Sequence, residues 1–181
     1  MEHATRLFLI RAVQRAGPGS DAEPRALAAL EPALARIAER RPVLVVGSPL
    51  EPWLPEIARR IGAPLRCDPR LGPSSGPLAA DGTTRVLTVL DELARELGPA
   101  EVVVFLHAEG IRAALARALN AADARVFAPE PARAIALDWA HPEAREFQHA
   151  LIGVAFDWDI GPVAQRAHRF PGGASVLPRS S

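Results

Sequence analysis

Glu101-Val102-Val103-Val104-Phe105-Leu106-His107-Ala108-Glu109-Gly110-Ile111-Arg112-Ala113-Ala114 carries the clearest local signal in the chain. Residues 102–106 are an unbroken apolar run, mostly β-branched, as a strand buried on both faces requires. Gly98-Pro99 ends whatever precedes it. Beyond Leu106 the pattern predicts a helix over residues 109–119, closed by Asn120. His107 therefore stands where a strand turns into a helix, in front of an N-terminus that favours an anion.

The same alternation extends in both directions. Residues 6–10 (RLFLI) and 42–46 (PVLVV) read as buried strands, the second running into Gly47-Ser48-Pro49. Residues 133–139 (RAIALDW) read as another, with a short strand at 63–67 and one in the tail at 150–158. Between them lie helical patterns. The first starts near Pro24 and carries Leu27, Leu30, Leu34 and Ile37, with Pro32 predicting a kink or a break. The second runs through Trp53, Ile57 and Ile61, with Pro52 and Pro55 tolerable in its first turn. The third is capped by Thr83 or Thr84 and shows Val86, Leu90, Leu93 and Leu97 on one face. Residues 16–23 and 68–82 are rich in Gly, Pro and Ser and read as loops. Strands alternating with helices predict a three-layer α/β/α sandwich with a mostly parallel central sheet. Ligands of such folds bind at the carboxyl ends of strands, which singles out Arg11, Ser48 and His107.

Composition narrows the function. The chain has 181 residues, enough for one domain with a full core, and no linker divides it. The expected organisation is a single domain over 1–181, with 140–181 an extension whose structure the sequence leaves open. The 21 basic and 21 acidic residues balance, so a nucleic-acid partner is not expected. No lysine is present, and the wealth of Arg, Ala and Pro suits a GC-rich bacterial genome. Arginine still matters chemically, because its planar fork binds phosphate or carboxylate through two hydrogen bonds. Cys67 is the only cysteine, which excludes an internal disulfide and a thiolate metal cage. The first six residues lack the apolar run of a secretory signal, and no stretch of about 20 apolar residues suggests a membrane span. The expected location is the cytoplasm. Oligomeric state is left open.

Three blocks in order resemble the histidine phosphatase superfamily, whose fold is phosphoglycerate-mutase-like. Leu7-Phe8-Leu9-Ile10-Arg11 matches the family's strand and arginine, but Ala12 and Val13 replace the His-Gly that follows. Ser48-Pro49-Leu50-Glu51 matches the second block, but Pro52 replaces its arginine and Glu56 its threonine. The third block is the run quoted above, with Gly110-Ile111-Arg112 in the family's register. The resemblance covers residues 5–138. It implies a pocket for a small anionic, phosphorylated or carboxylated metabolite, with Arg11 and Ser48 binding it and His107 beside it. It implies no cofactor and no metal.

In the family a histidine attacks a phosphate monoester. Surrounding donors meet the charge and an acid protonates the leaving oxygen. Ala12 occupies the nucleophile position and has no atom that accepts a phosphoryl group. Phosphomonoester hydrolysis is thus implied only if Ala12 replaces a native histidine. The alternatives are a repurposed enzyme using Arg11 and His107 for other chemistry, and a non-catalytic binding protein. Glu109 is either a general acid or a carboxylate placed to suit a helix start. Arg59, Arg60 and Arg70 compensate for the missing arginine only if the backbone departs from the family's. Asp157 and Asp159 flank Trp158 and would share one strand face, most simply as solvated aspartates. His141, His149 and His168 lack metal-ligand spacing. Residues 170–173 (FPGG) form a turn.

Overall fold

Leu7, Phe8, Leu9 and Ile10 are fully buried, because the strand that carries them lies inside a sheet covered on both faces. In the computed structural model this chain is described over residues 4–12, 22–73, 79–121, 134–140 and 154–155. The elements run β1 (Ala4–Arg11), α1 (Ala22–Glu39), β2 (Leu44–Gly47), α2 (Leu54–Ile61) and β3 (Leu65–Cys67). A single 3₁₀ turn (Pro69–Leu71) follows, then α3 (Ala79–Leu97), β4 (Glu101–Leu106), α4 (Ala108–Ala118), β5 (Ala134–Ala140) and β6 (Val154–Ala155). The sheet order is β3-β2-β4-β1-β5-β6. β1, β2, β3 and β4 are mutually parallel, while β5 and β6 are antiparallel to their neighbours.

Alternate residues of the central strands feed two cores. On one face Leu7, Leu9, Val102 and Val104 pack with Val86, Leu90 and Leu93 of α3 and Ile111 and Leu115 of α4. On the other, Phe8, Ile10, Val103 and Phe105 pack with Leu30, Leu34 and Ile37 of α1 and Leu54, Ile57 and Ile61 of α2. The architecture is the expected three-layer α/β/α sandwich around a mostly parallel sheet. Trp53 meets Phe105 edge to face, ring centres 5.0 Å apart, and so ties the start of α2 to β4. No helix among the described residues is long and apolar enough to cross a membrane.

Several local expectations need correction. α1 runs unbroken through Pro32. Burial of Leu30, Ala33, Leu34 and Ile37 on one stripe outweighs the single backbone hydrogen bond that proline removes. The segment 68–82 is not one loop. Asp68 accepts a hydrogen bond from the Arg70 amide at 2.9 Å and starts the 3₁₀ turn, and α3 already begins at Ala79. Thr83 and Thr84 therefore sit inside α3 rather than capping it, because helix-forming Ala79 and Ala80 extend it by a turn. Residues 22 and 23, read as loop, open α1. β2 starts at Leu44, two residues after Pro42, which has no amide proton for a ladder. Of the tail strand, Val154–Ala155 is observed, paired with Ala136 and Leu137. Asp157, Trp158, Asp159, His141, His149, His168 and the 170–173 turn lie outside the described residues.

Candidate functional site

Three parallel strands end at one edge of the sheet. Arg11 is the last residue of β1 and is the register partner of Leu106, the last residue of β4. Val46 of β2 pairs with Val104. Arg11, Ser48 and His107 thus leave the sheet side by side, as the sequence predicted. The Ala12 amide donates to the Leu106 carbonyl at 2.7 Å, so position 12 lies directly against the residue preceding His107. Ala12 is buried.

His107 caps α4 with extended backbone angles (φ −72°, ψ 163°), and its carbonyl accepts the first helical hydrogen bond, from Ile111, at 3.1 Å. Gly110 lets α4 press against α3, since an added Cβ would come 3.3 Å from Val86 Cγ2. The imidazole Nε2 is buried and lies 3.6 Å from Oε1 of Glu51, beyond hydrogen-bond length. Burial lowers the His107 pKa below the ordinary imidazole value. Glu109 pulls it up and the Arg11 charge pushes it further down. Arg11 therefore acts on this ring electrostatically from the neighbouring strand end.

Glu51 reaches the site through the turn after β2. Its amide donates to the Ser48 carbonyl at 3.1 Å, and its own carbonyl accepts from the Leu54 amide at 3.2 Å. Ser48 Oγ accepts from the Leu50 amide at 3.2 Å and holds the same turn. Gly47 allows α2 to close over it, since a Cβ there would meet Leu54 Cδ1 at 2.5 Å. Ser48 lies under the 3₁₀ turn and is buried; its Oγ would be 3.3 Å from a Cβ at Gly72. Glu51 is also buried, with a side chain only 8% exposed. A buried carboxylate is costly and seldom incidental. The sequence reading passed over Glu51 as a mere match in a motif. The available signal was an acid three residues before the apolar helix position Leu54, in a turn that sends its side chain inward.

The other candidates separate from this group. Glu109 is exposed in the first turn of α4, where an acid suits the helix dipole. Pro52 is exposed. Arg59 and Arg60 both bind Glu56 on the outer face of α2, and Arg60 also pairs with Glu31. Arg70 is held by Asp68 and by Glu92 of α3. These three arginines are committed to carboxylates elsewhere and do not replace the one absent at Pro52. A shallow cleft of about 350 Å³ is lined by Arg70, Thr84, Arg85 and Thr88, and none of Arg11, Ala12, Glu51 and His107 borders it.

No family model matches the chain, and no curated protein matches it in sequence. Solved structures do match it in fold. A structure described as mycobacterial hydrolase 2 superposes with a TM-score of 0.61 at 19% identity, covering 85% of this chain and 90% of its own. Phosphoglycerate mutase from Plasmodium falciparum gives 0.57 at 12% identity, covering 97% and 99%. Mycobacterial glucosyl-3-phosphoglycerate phosphatase gives 0.52 at 17% identity, covering 75% and 89%. The fold is therefore the phosphoglycerate-mutase-like fold of the histidine phosphatases, as the three sequence blocks implied.

Proposed function

We propose that this chain binds a small anionic metabolite, phosphorylated or carboxylated, at the carboxyl edge of its sheet between Arg11 and His107. The observation that carries this reading is the register of β1 against β4, which brings the Arg11 end and the His107 end out together. The N-terminus of α4 points its partial positive charge at the same place. A guanidinium, an imidazole and a helix start at one sheet edge suit an oxyanion. Two of the proteins sharing the fold are named for phosphorylated compounds, which supports the same class of ligand. Their chemistry is not carried over, because Ala12 supplies no nucleophile and Pro52 no second guanidinium.

Hydrolysis of a phosphate monoester is expected only with histidine at position 12. With alanine there, the chain is a binding protein or an enzyme doing non-phosphoryl chemistry with Arg11 and His107. Calorimetric titration with phosphate and with small phosphorylated and carboxylated metabolites tests the reading. Saturable binding abolished in the Arg11→Ala, His107→Ala double variant supports it, and no binding by any of these anions overturns it.

A further inference from the structure

We infer that His107 meets its ligand through Nδ1 as a hydrogen-bond acceptor, and that Glu51 is the positioning residue that keeps the ring proton on Nε2. The inference rests on the anion-pocket reading above and narrows its ligand class. Its basis is the different surroundings of the two ring nitrogens. Nε2 is buried, has no hydrogen bond and lies 3.6 Å from Oε1 of Glu51. The His107 side chain as a whole is 18% exposed. That exposure lies on the rest of the side chain, where Nδ1 is the other polar atom. The helix does not use Nδ1 either, since the His107 side chain makes no capping hydrogen bond to α4.

A neutral imidazole holds one proton, on one nitrogen, and the other nitrogen is an acceptor. The Nε2–Oε1 contact is too long for a hydrogen bond, so the sign of its electrostatics decides between them. A bare Nε2 would set a lone pair against a carboxylate oxygen in a buried place. An Nε2–H sets a partial positive charge there instead. This holds whatever else the Glu51 carboxylate binds, because an oxygen that accepts from another donor still carries negative charge. The proton therefore stays on Nε2, and the lone pair falls to Nδ1. Burial favours the neutral ring. The Arg11 charge from β1 acts in the same direction and Glu109 of α4 in the opposite one. In that neutral state Nδ1 has no proton to give an oxyanion, so the ligand must bring a donor beside its charge. Hydrogen phosphate, a singly protonated phosphate ester and a hydroxyl-bearing carboxylate meet this requirement. Sulfate does not.

Two measurements on the full chain test this. Long-range proton–nitrogen spectra at pH 8, with the ring assigned through its loss in His107→Gln, should show the wild-type proton on Nε2. Glu51→Leu removes the acceptor and should move the population toward the Nδ1–H form. Calorimetry at pH 8 compares inorganic phosphate, which keeps one P–OH, with sulfate, which has the same shape and charge and no proton. Phosphate should bind about tenfold more tightly or better, because sulfate sets an oxyanion against the Nδ1 lone pair. Glu51→Leu should narrow that ratio. If Glu51→Leu does not fold, the wild-type proton position and the wild-type ratio carry the test. A wild-type proton on Nδ1, a tautomer unchanged in a folded Glu51→Leu variant, or sulfate bound as tightly as phosphate overturns the inference and leaves the anion pocket standing. Failure of phosphate, sulfate and the small metabolites alike to bind overturns the pocket itself, and with it the ligand-facing role of Nδ1.

Discussion

The backbone amide of Ala12 donates a 2.7 Å hydrogen bond to the carbonyl of Leu106, locking the residue after β1 against the residue before His107. Position 12 therefore lies beside the strand end that leads into His107. Putting histidine there supplies an imidazole nucleophile. If the native residue is histidine, Ala12→His should raise hydrolysis of a generic aryl phosphate by several orders of magnitude, the usual cost of a missing nucleophile. Acid-labile phosphate on residue 12 would accompany the gain. No gain leaves the non-phosphoryl and non-catalytic readings.

Arg11 and Arg36 offer a contrast within one chain. Arg36 is exposed in the last turn of α1. A charge-assisted guanidinium contact contributes about 1.5–3 kcal/mol, so Arg11→Ala should weaken anion binding roughly ten- to a hundredfold. Arg36→Ala should change it little. Equal affinities in the two variants, measured by calorimetry, would move the pocket elsewhere.

The burial of His107 has a consequence for pH. Its folded pKa lies below the ordinary value of 6.5. As pH falls through about 6.5 the unfolded chain takes up a proton there before the native one does, so native stability drops. Above that window His107 adds no pH dependence. His107→Gln should flatten this part of the stability curve, followed by urea unfolding between pH 5 and 7. A ring resonance titrating above 6.5 would refute the assignment.

Asp91 offers a test of the fold away from the pocket. It accepts from both terminal nitrogens of Arg117 at 3.0 Å and from the Trp139 indole N–H at 3.0 Å. Arg117 also lies over the Trp139 ring, 5.1 Å from its centre. The three residues join α3, α4 and β5. Asp91→Ala leaves the indole N–H without that acceptor in a buried position and should cost about 2–3 kcal/mol. A fall in denaturant midpoint with unchanged slope is the expected reading. A change under about 0.5 kcal/mol would mean that the cluster is decorative.

What the sequence revealed depended on how locally each feature is determined. The run from Glu101 to Leu106 has the right length, β-branching and polar borders to define a strand unaided, and His107 followed from it. Arg11 was legible for the same reason. The direction of β5 was not, because an apolar strand reads the same whichever way its neighbour runs. The start of α3 was hidden by the surrounding glycine and proline, and the continuity of α1 by Pro32, whose cost the packing of the α1 stripe outweighs. Glu51 escaped notice because its meaning depends on a turn that points it inward across the β2–α2 junction. Ser48 was placed correctly at the sheet edge, but the fold buries its hydroxyl in that same turn.

The position of β1 bears on how the chain acquires its shape during synthesis. β1 precedes the other described strands in the chain, yet its two neighbours are β4 and β5, and Arg6 and its partner Glu101 lie about 95 residues apart. At roughly 5–20 residues per second, Leu7, Phe8, Leu9 and Ile10 wait on the order of 5–20 s for a strand to pair with. During that interval this apolar segment has its helical packing partners but neither of its sheet neighbours. A nascent chain arrested before residue 100 should therefore be protease-sensitive throughout β1, and one arrested after β5 has emerged should be protected.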